Sequence, residues 1–132
     1  MSHKNLRKVP VYGKALELCN ISRELASYFS FNKDLLKLYQ SQSLRDTILD
    51  AILTDSILIQ KQIAQAEFSN SQAVRKESAY FINTIIRNIN TYCTGLEKDG
   101  VKEKEYIHLL RSEISSFRAS FKKWRTSLLS DL

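Results

Sequence analysis

The last third of the chain carries its strictest pattern: Tyr106, Leu110, Ile114, Phe117, Phe121, Trp124 and Leu128 follow one another at steps of three or four residues. That is the repeat of one face of an α-helix, whereas a strand would expose a period of two. Glycine and proline reinforce the constraint. Three glycines (Gly13, Gly95, Gly100) and a single proline, Pro10, in 132 residues cannot supply the turns of a many-stranded sandwich or barrel. The chain is therefore expected to be all-helical.

Three further stretches share the helical period. Val11, Ala15, Leu18, Leu25 and Phe29 define a helix over about 11–29, with Cys19 and Ala26 widening the stripe and Ser22 interrupting it. Ser43 and Asp46 are placed to satisfy free backbone N–H groups at the start of a second helix, about 44–68, whose face is Ile48, Ala51, Ile52, Ile59, Ile63 and Ala66. Leu49, Leu53, Ile57 and Ala64 are apolar on its other sides, so this helix is expected to be central or shared with another subunit. A third helix, about 73–96, carries Val74, Ser78, Ile82, Ile85, Ile89, Tyr92 and Leu96, after a turn in which Ser69 and Gln72 have capping-box spacing. Residues 33–40 read as a short helix or an extended connection, and Asp99-Gly100 as a tight turn. With short connections favouring antiparallel neighbours, the sum is an up-down-up-down four-helix bundle, one domain over residues 1–132 with a basic arm at residues 1–8.

Hydrophobic residues make up 43% of the chain and charged ones 26%, which excludes a disordered tail, a collagen-like fibre and a membrane span. The N-terminus is basic but has no apolar run and no small-residue cleavage site, so no secretion is expected. Cys19 and Cys93 fall on apolar helical faces and read as buried thiols suited to a reducing cytoplasm. Asn20-Ile21-Ser22 matches a glycosylation acceptor but lies mid-helix and is set aside.

The net charge is +6, and the topology concentrates it. The start of helix one, the turn between helices two and three, and the end of helix four share a pole. Lys4, Arg7, Lys8, Lys14, Lys61, Arg75, Lys76, Arg118, Lys122, Lys123 and Arg125 lie near it, against Glu17, Glu67, Glu77 and Asp131, for a local charge of +7. Such a field attracts phosphates through counterion release without base-specific contacts. The candidate nucleic-acid-binding residues are Lys4, Arg7, Lys8, Lys61, Arg75, Lys76, Arg118, Lys122, Lys123 and Arg125. Tyr12, Tyr28, Phe29, Tyr80, Phe81 and Tyr92 offer rings for base stacking, but the spacing favours the core for most of them.

Nothing in the sequence marks a catalytic or metal centre. His3 and His108 have no Cys or carboxylate at ligand spacing, and phosphate-cradling glycine loops, nucleophile elbows and His-Glu-x-x-His pairs are missing. No cofactor is expected. Asp55 stands out because it interrupts the apolar stripe between Ile52 and Ile59. An unpaired carboxylate there is costly, so Asp55 pairs with a basic residue such as Arg87 or Arg111, faces a channel between subunits, or is catalytic, in that order of preference.

Val9-Pro10-Val11-Tyr12-Gly13-Lys14 leading into an amphipathic helix, the Ile/Leu-rich second helix, and Glu105-Tyr106-Ile107-His108 followed by Trp124 resemble the accessory variability determinant (Avd) proteins of diversity-generating retroelements. These are related to the small four-helix proteins encoded in intervening sequences of bacterial 23S ribosomal RNA genes. Gln62-Ile63-Ala64-Gln65-Ala66 stands where the latter carry Asn-Ile-Ala-Glu-Gly, which favours the Avd branch. Phe29-Ser30-Phe31-Asn32 replaces the Phe-Pro that often ends the family's first helix, so the first connection is expected to differ. The resemblance implies a basic homopentamer of four-helix bundles, without catalytic activity, that binds a reverse transcriptase and its template RNA; the basic pole is equally open to the phosphates of DNA. The bottom-up alternative is a bundle that only oligomerises or docks a protein, its basic surface serving solubility.

Overall fold

The structure, a computed structural model, describes residues 5–130. Four long helices make the fold: α1 (Pro10–Phe29), α2 (Leu44–Glu67), α3 (Gln72–Lys98) and α4 (Lys104–Ser130), with 3-10 segments at Leu6–Lys8 and Leu35–Gln40 and no strand among the described residues. Helices consecutive in sequence pack on one another, and α1 closes the ring against α4. The up-down-up-down topology follows from which ends meet. The end of α1 touches the start of α2 (Phe31 with Asp46), the start of α2 touches the end of α3 (Arg45 with Asp99), and the ends of α2 and α4 meet (Glu67 with Trp124).

Local chemistry sets the boundaries. Pro10 opens α1 at a position whose missing N–H costs nothing. The Ser43 hydroxyl accepts from Asp46 N–H at 3.2 Å and caps α2. The cap of α3 is Ser71, which accepts from Val74 N–H, so the helix begins at Gln72; the capping box expected between Ser69 and Gln72 does not form, and Ser69 Oγ instead accepts from Ser71 N–H. Gly100, at φ 86°, ends α3 in a Schellman turn: Gly100 N–H bonds Glu97 O and Val101 N–H bonds Leu96 O. Val101 and Leu96 are both buried.

The stripes of α1, α3 and α4 enter one core in which Phe117, Phe121, Leu18, Leu25, Ile82 and Ile86 are almost fully enclosed. The α2 face matches the expected one at Ile52, Ile59, Ile63 and Ala66 and differs near its start. Leu49, Ile52, Ile59, Ile63 and Ala66 are buried, together with Asp46 and Ser56, while Ile48 and Ala51 are half-buried. Most of the remaining apolar surface of α2 is covered by its own chain, since Ile48, Leu53 and Leu58 pack against the core, but Ile57 is exposed. Cys19 and Cys93 are buried and unpaired.

Two contacts lock the pole at which α1 ends. Asp46, completely buried, accepts from Phe31 N–H (2.8 Å) and Asn32 N–H (3.0 Å), and Arg45 reaches Asp99 at 2.8 Å while lying 4.5 Å from the Phe31 ring centre. The first turn of α2 therefore holds the chain that leaves α1, a role the sequence reading assigned only to capping. Burial pushes the Asp46 carboxyl up, but the Phe31 and Asn32 N–H groups, the Ser41 hydroxyl and the Lys33 charge outweigh it and hold it below the usual carboxylate range. At the opposite pole Trp124 Nε1 donates to Glu67 Oε2 at 2.6 Å, and Arg75 and Gln72 donate to Leu128 O and Leu129 O near the end of α4.

Asp46→Ala is expected to cost about 3 kcal/mol in denaturant unfolding, because it strands two inward-facing N–H donors. The contribution of Asp46 is complete above the unfolded carboxylate value near about 4 and is lost as pH falls through its depressed folded value, so the variant should lose part of the acid limb of the stability profile. Trp124, at 9% exposure, should cost about 3 to 5 kcal/mol on truncation to Ala, read from the same unfolding curves.

Candidate nucleic-acid interface

The flank of α4 that faces α3 is fixed by Arg111, whose guanidinium bonds Glu97 and Thr94 of α3. Lys104, Arg111, Arg118 and Arg125 recur every seventh residue, close to two helical turns, and so share that flank, with Lys122 one turn from Arg118. The flank of α3 that carries Thr94 includes Lys76, five turns away, and Arg87; Lys76, Arg87 and Lys98 are spaced by eleven, about three turns. Two rows of cations, eight side chains in all, therefore run beside each other along the α3–α4 seam.

Acidic residues are turned elsewhere. Glu77 lines a groove with Gln62 and Gln65 of α2, Glu103 and Glu105 lie near Tyr28 of α1, and Glu113 is one heptad from Ser120, which faces the start of α1. Glu97 is the carboxylate left among the cations. The Arg111 hydrogen bond holds it below the usual range against its partial burial, and the charges of Arg111, Lys104 and His108 add to this. Between the rows lie Asn83 and Asn90, which are uncharged.

The structure distributes the ten candidate cations over several surfaces. Lys76, Arg118, Lys122 and Arg125 belong to the seam; the first three are exposed, and the Arg125 guanidinium lies 5.3 Å from the Phe121 ring centre. Arg75 is committed to the fold, since Nε donates to Ser69 O (2.9 Å) and Nη1 to Leu128 O (3.2 Å). Lys123 lines a groove with Pro10 and Val11 on the α1 side, where Arg7 and Lys8 enter in a 3-10 turn. Lys61 is exposed on α2, and Lys4 lies outside the described residues. Of the other pole cations, Lys14 is paired with Glu17 at 3.4 Å.

The sequence reading missed Arg87, Lys98, Lys104 and Arg111. Their signal was the repeat of seven in α4 and of eleven in α3, a periodicity of charge rather than of apolar residues. The rings also sort differently. Phe29 is buried and Tyr12 and Tyr92 are half-buried, as the core assignment requires, but Tyr28, Tyr80 and Phe81 are exposed. Tyr28 stacks on Tyr106 with centroids 4.4 Å apart.

Asp55 finds a different neighbour from the expected arginine. Arg87 is exposed on the outer side of α3 and Arg111 is held by Glu97, whereas Tyr92 is the neighbour of the Asp55 carboxyl, whose Oδ2 is buried without a hydrogen-bond partner. Burial raises Asp55 above the usual range and the nearby Tyr92 hydroxyl lowers it by less; burial and the neighbouring Asp55 charge likewise raise Tyr92. The Cys93 thiol is pushed up to about 11, by burial and the Glu97 charge against the opposing charge of Arg111, so it is not a ready nucleophile. Among the described residues no group of three His, Cys, Asp or Glu could hold a metal ion, and no helix is long and apolar enough to cross a membrane.

Comparison with protein-family models, curated proteins and solved structures returns no match.

A carboxyl raised by burial favours the folded state when protonated, so its penalty is present at neutral pH and fades as pH falls through the raised value. Asp55→Asn should therefore raise stability at pH 7 by about 1 kcal/mol and flatten the profile on mild acidification, as read by urea unfolding across pH.

Proposed function

We propose that this protein is a non-catalytic nucleic-acid-binding bundle that grips phosphate backbone along the α3–α4 seam. The observation that carries the reading is the pair of cation rows, eight side chains against the single Glu97 carboxylate. A field of one sign along a rod is what counterion release rewards, and no base-reading element is needed for it. The resemblance to the Avd proteins supports a more specific form of the proposal, a cytoplasmic homopentameric scaffold that presents template RNA to a reverse transcriptase. A place for a subunit or partner is offered by the groove between α1 and α2, where Leu35, Leu36, Leu53 and Ile57 surround Cys19 and where Leu36 is 87% exposed. That groove also favours the second reading, a protein-docking bundle that ignores nucleic acid.

The deciding experiment is size exclusion with light scattering, run with and without a structured RNA at low and moderate salt, on the wild type and on Arg118→Glu/Lys122→Glu/Arg125→Glu. The wild type should shift with RNA, less so as salt rises. The triple variant should lose RNA binding while keeping its oligomeric state, and each phosphate contact removed should reduce the log–log salt slope by about 0.7 to 0.9. Lys61→Glu, on the opposite side of the bundle, should bind as the wild type does. Unchanged affinity of the triple variant would leave the docking reading in place.

A further inference from the structure

We infer that Tyr80 is a stacking platform for an unpaired nucleobase, set inside the cationic seam; this rests on the nucleic-acid reading above. Tyr80 is 70% exposed, on the side of α3 away from its buried stripe of Ser78, Ile82, Ile85 and Ile89. No packing role accounts for its ring. Its position is specific: Lys76 stands one turn before it and Arg87 two turns after, so cations lie about 6 Å and about 10.5 Å away along the helix axis, while Glu77, its other neighbour one turn before, lines the groove toward α2. Because α3 and α4 are antiparallel, the Thr94–Arg111 contact places Arg125 and Lys122 of α4 at the level of Tyr80.

An exposed aromatic ring flanked by cations on both sides is the arrangement that holds single-stranded nucleic acid. The cations follow the backbone and the ring takes the face of any base, whatever its identity. A continuous duplex keeps its bases stacked on one another and presents only phosphate and sugar to the seam, so Tyr80 has nothing to offer it. The other uncharged seam side chains, Asn83, Asn90 and Thr94, have no ring to stack. The seam thus binds any phosphate backbone, while Tyr80 confers preference for a loop, bulge or single strand.

The test uses fluorescence anisotropy at one fixed salt concentration, with a labelled single-stranded RNA of mixed sequence and a blunt duplex RNA of the same length. Tyr80→Ala should weaken single-strand binding about 5- to 150-fold, leave duplex binding within about twofold, and keep the salt slope, because no cation is removed. Tyr80→Trp should restore the single-strand affinity. An exposed position keeps the fold in both variants, which far-UV circular dichroism checks. If the wild type binds both RNAs and Tyr80→Ala matches it on the single strand, the stacking role is overturned and the seam stands. Equal loss on single strand and duplex, or loss of self-association in its place, overturns it too, the latter making Tyr80 a protein contact. If the wild type binds neither RNA, the nucleic-acid reading fails and the Tyr80 assignment with it.

Discussion

A buried carboxylate at the α1–α2 junction is the contact on which the rest of the arrangement depends. The chain between α1 and α2 is its longest connection, residues 30–43, and it contains neither glycine nor proline to enforce a reversal. Asp46 does so instead, by holding the N–H groups of Phe31 and Asn32 from the first turn of the next helix. Beside it Arg45 engages Phe31 and Asp99 together, so the end of α1, the start of α2 and the end of α3 form one joint. An anion removed from water is tolerated only when donors surround it, and here the donors are the backbone of the reversal itself. With that joint set, antiparallel packing and the Gly100 turn carry α3 and α4 into fixed register.

Register is what turns scattered lysines and arginines into a surface. Arg111 belongs to the fold and to the seam at once: its bond to Glu97 aligns α3 with α4 and spends the one carboxylate among the cations. The remaining acids of the two helices are turned toward α1 and α2, where Glu77 lines a groove with Gln62 and Gln65, and Glu105, with Glu103 just before α4, lies near Tyr28. Segregation of this kind does not stabilise a monomer, since like charges in rows repel. It is intelligible if the surface meets an anion, which is the basis of the function proposed.

Much of this was legible from residue spacing, and the exceptions have physical causes. The four helices and their order follow from apolar periods of three and four, because burial of a stripe is dictated by the chain alone. The α2 face departs from its apolar period only near the start, because Leu49 and Ile48 are both apolar and the position of α1 and α3 decides which is enclosed. Asp46 looked like a cap because its partners are fifteen and fourteen residues earlier, beyond any local rule. The charged site was half visible. Summing charge by pole found Lys76, Arg118, Lys122 and Arg125, but it also gathered Lys61 and Lys123 from other faces and Arg75, whose donors close the end of α4. The heptad of Lys104, Arg111, Arg118 and Arg125 was present throughout, and periodicity applied to charge rather than to apolar residues reveals it.

The cations of the seam stand on two continuous helices, and none of the eight sits in a loop. Arg75 and Gln72 hold the last carbonyls of α4, while the Schellman turn and the Arg111–Glu97 bond fix the other end. The backbone positions of the charges are thus set by the two helices, about two turns apart along α4 and about three turns apart along α3. In the complex proposed, the protein backbone has little to order, and the entropy lost falls on the partner and on the long Lys and Arg side chains themselves. On the function proposed, such a surface selects for phosphate spacing along a strand and not for base sequence.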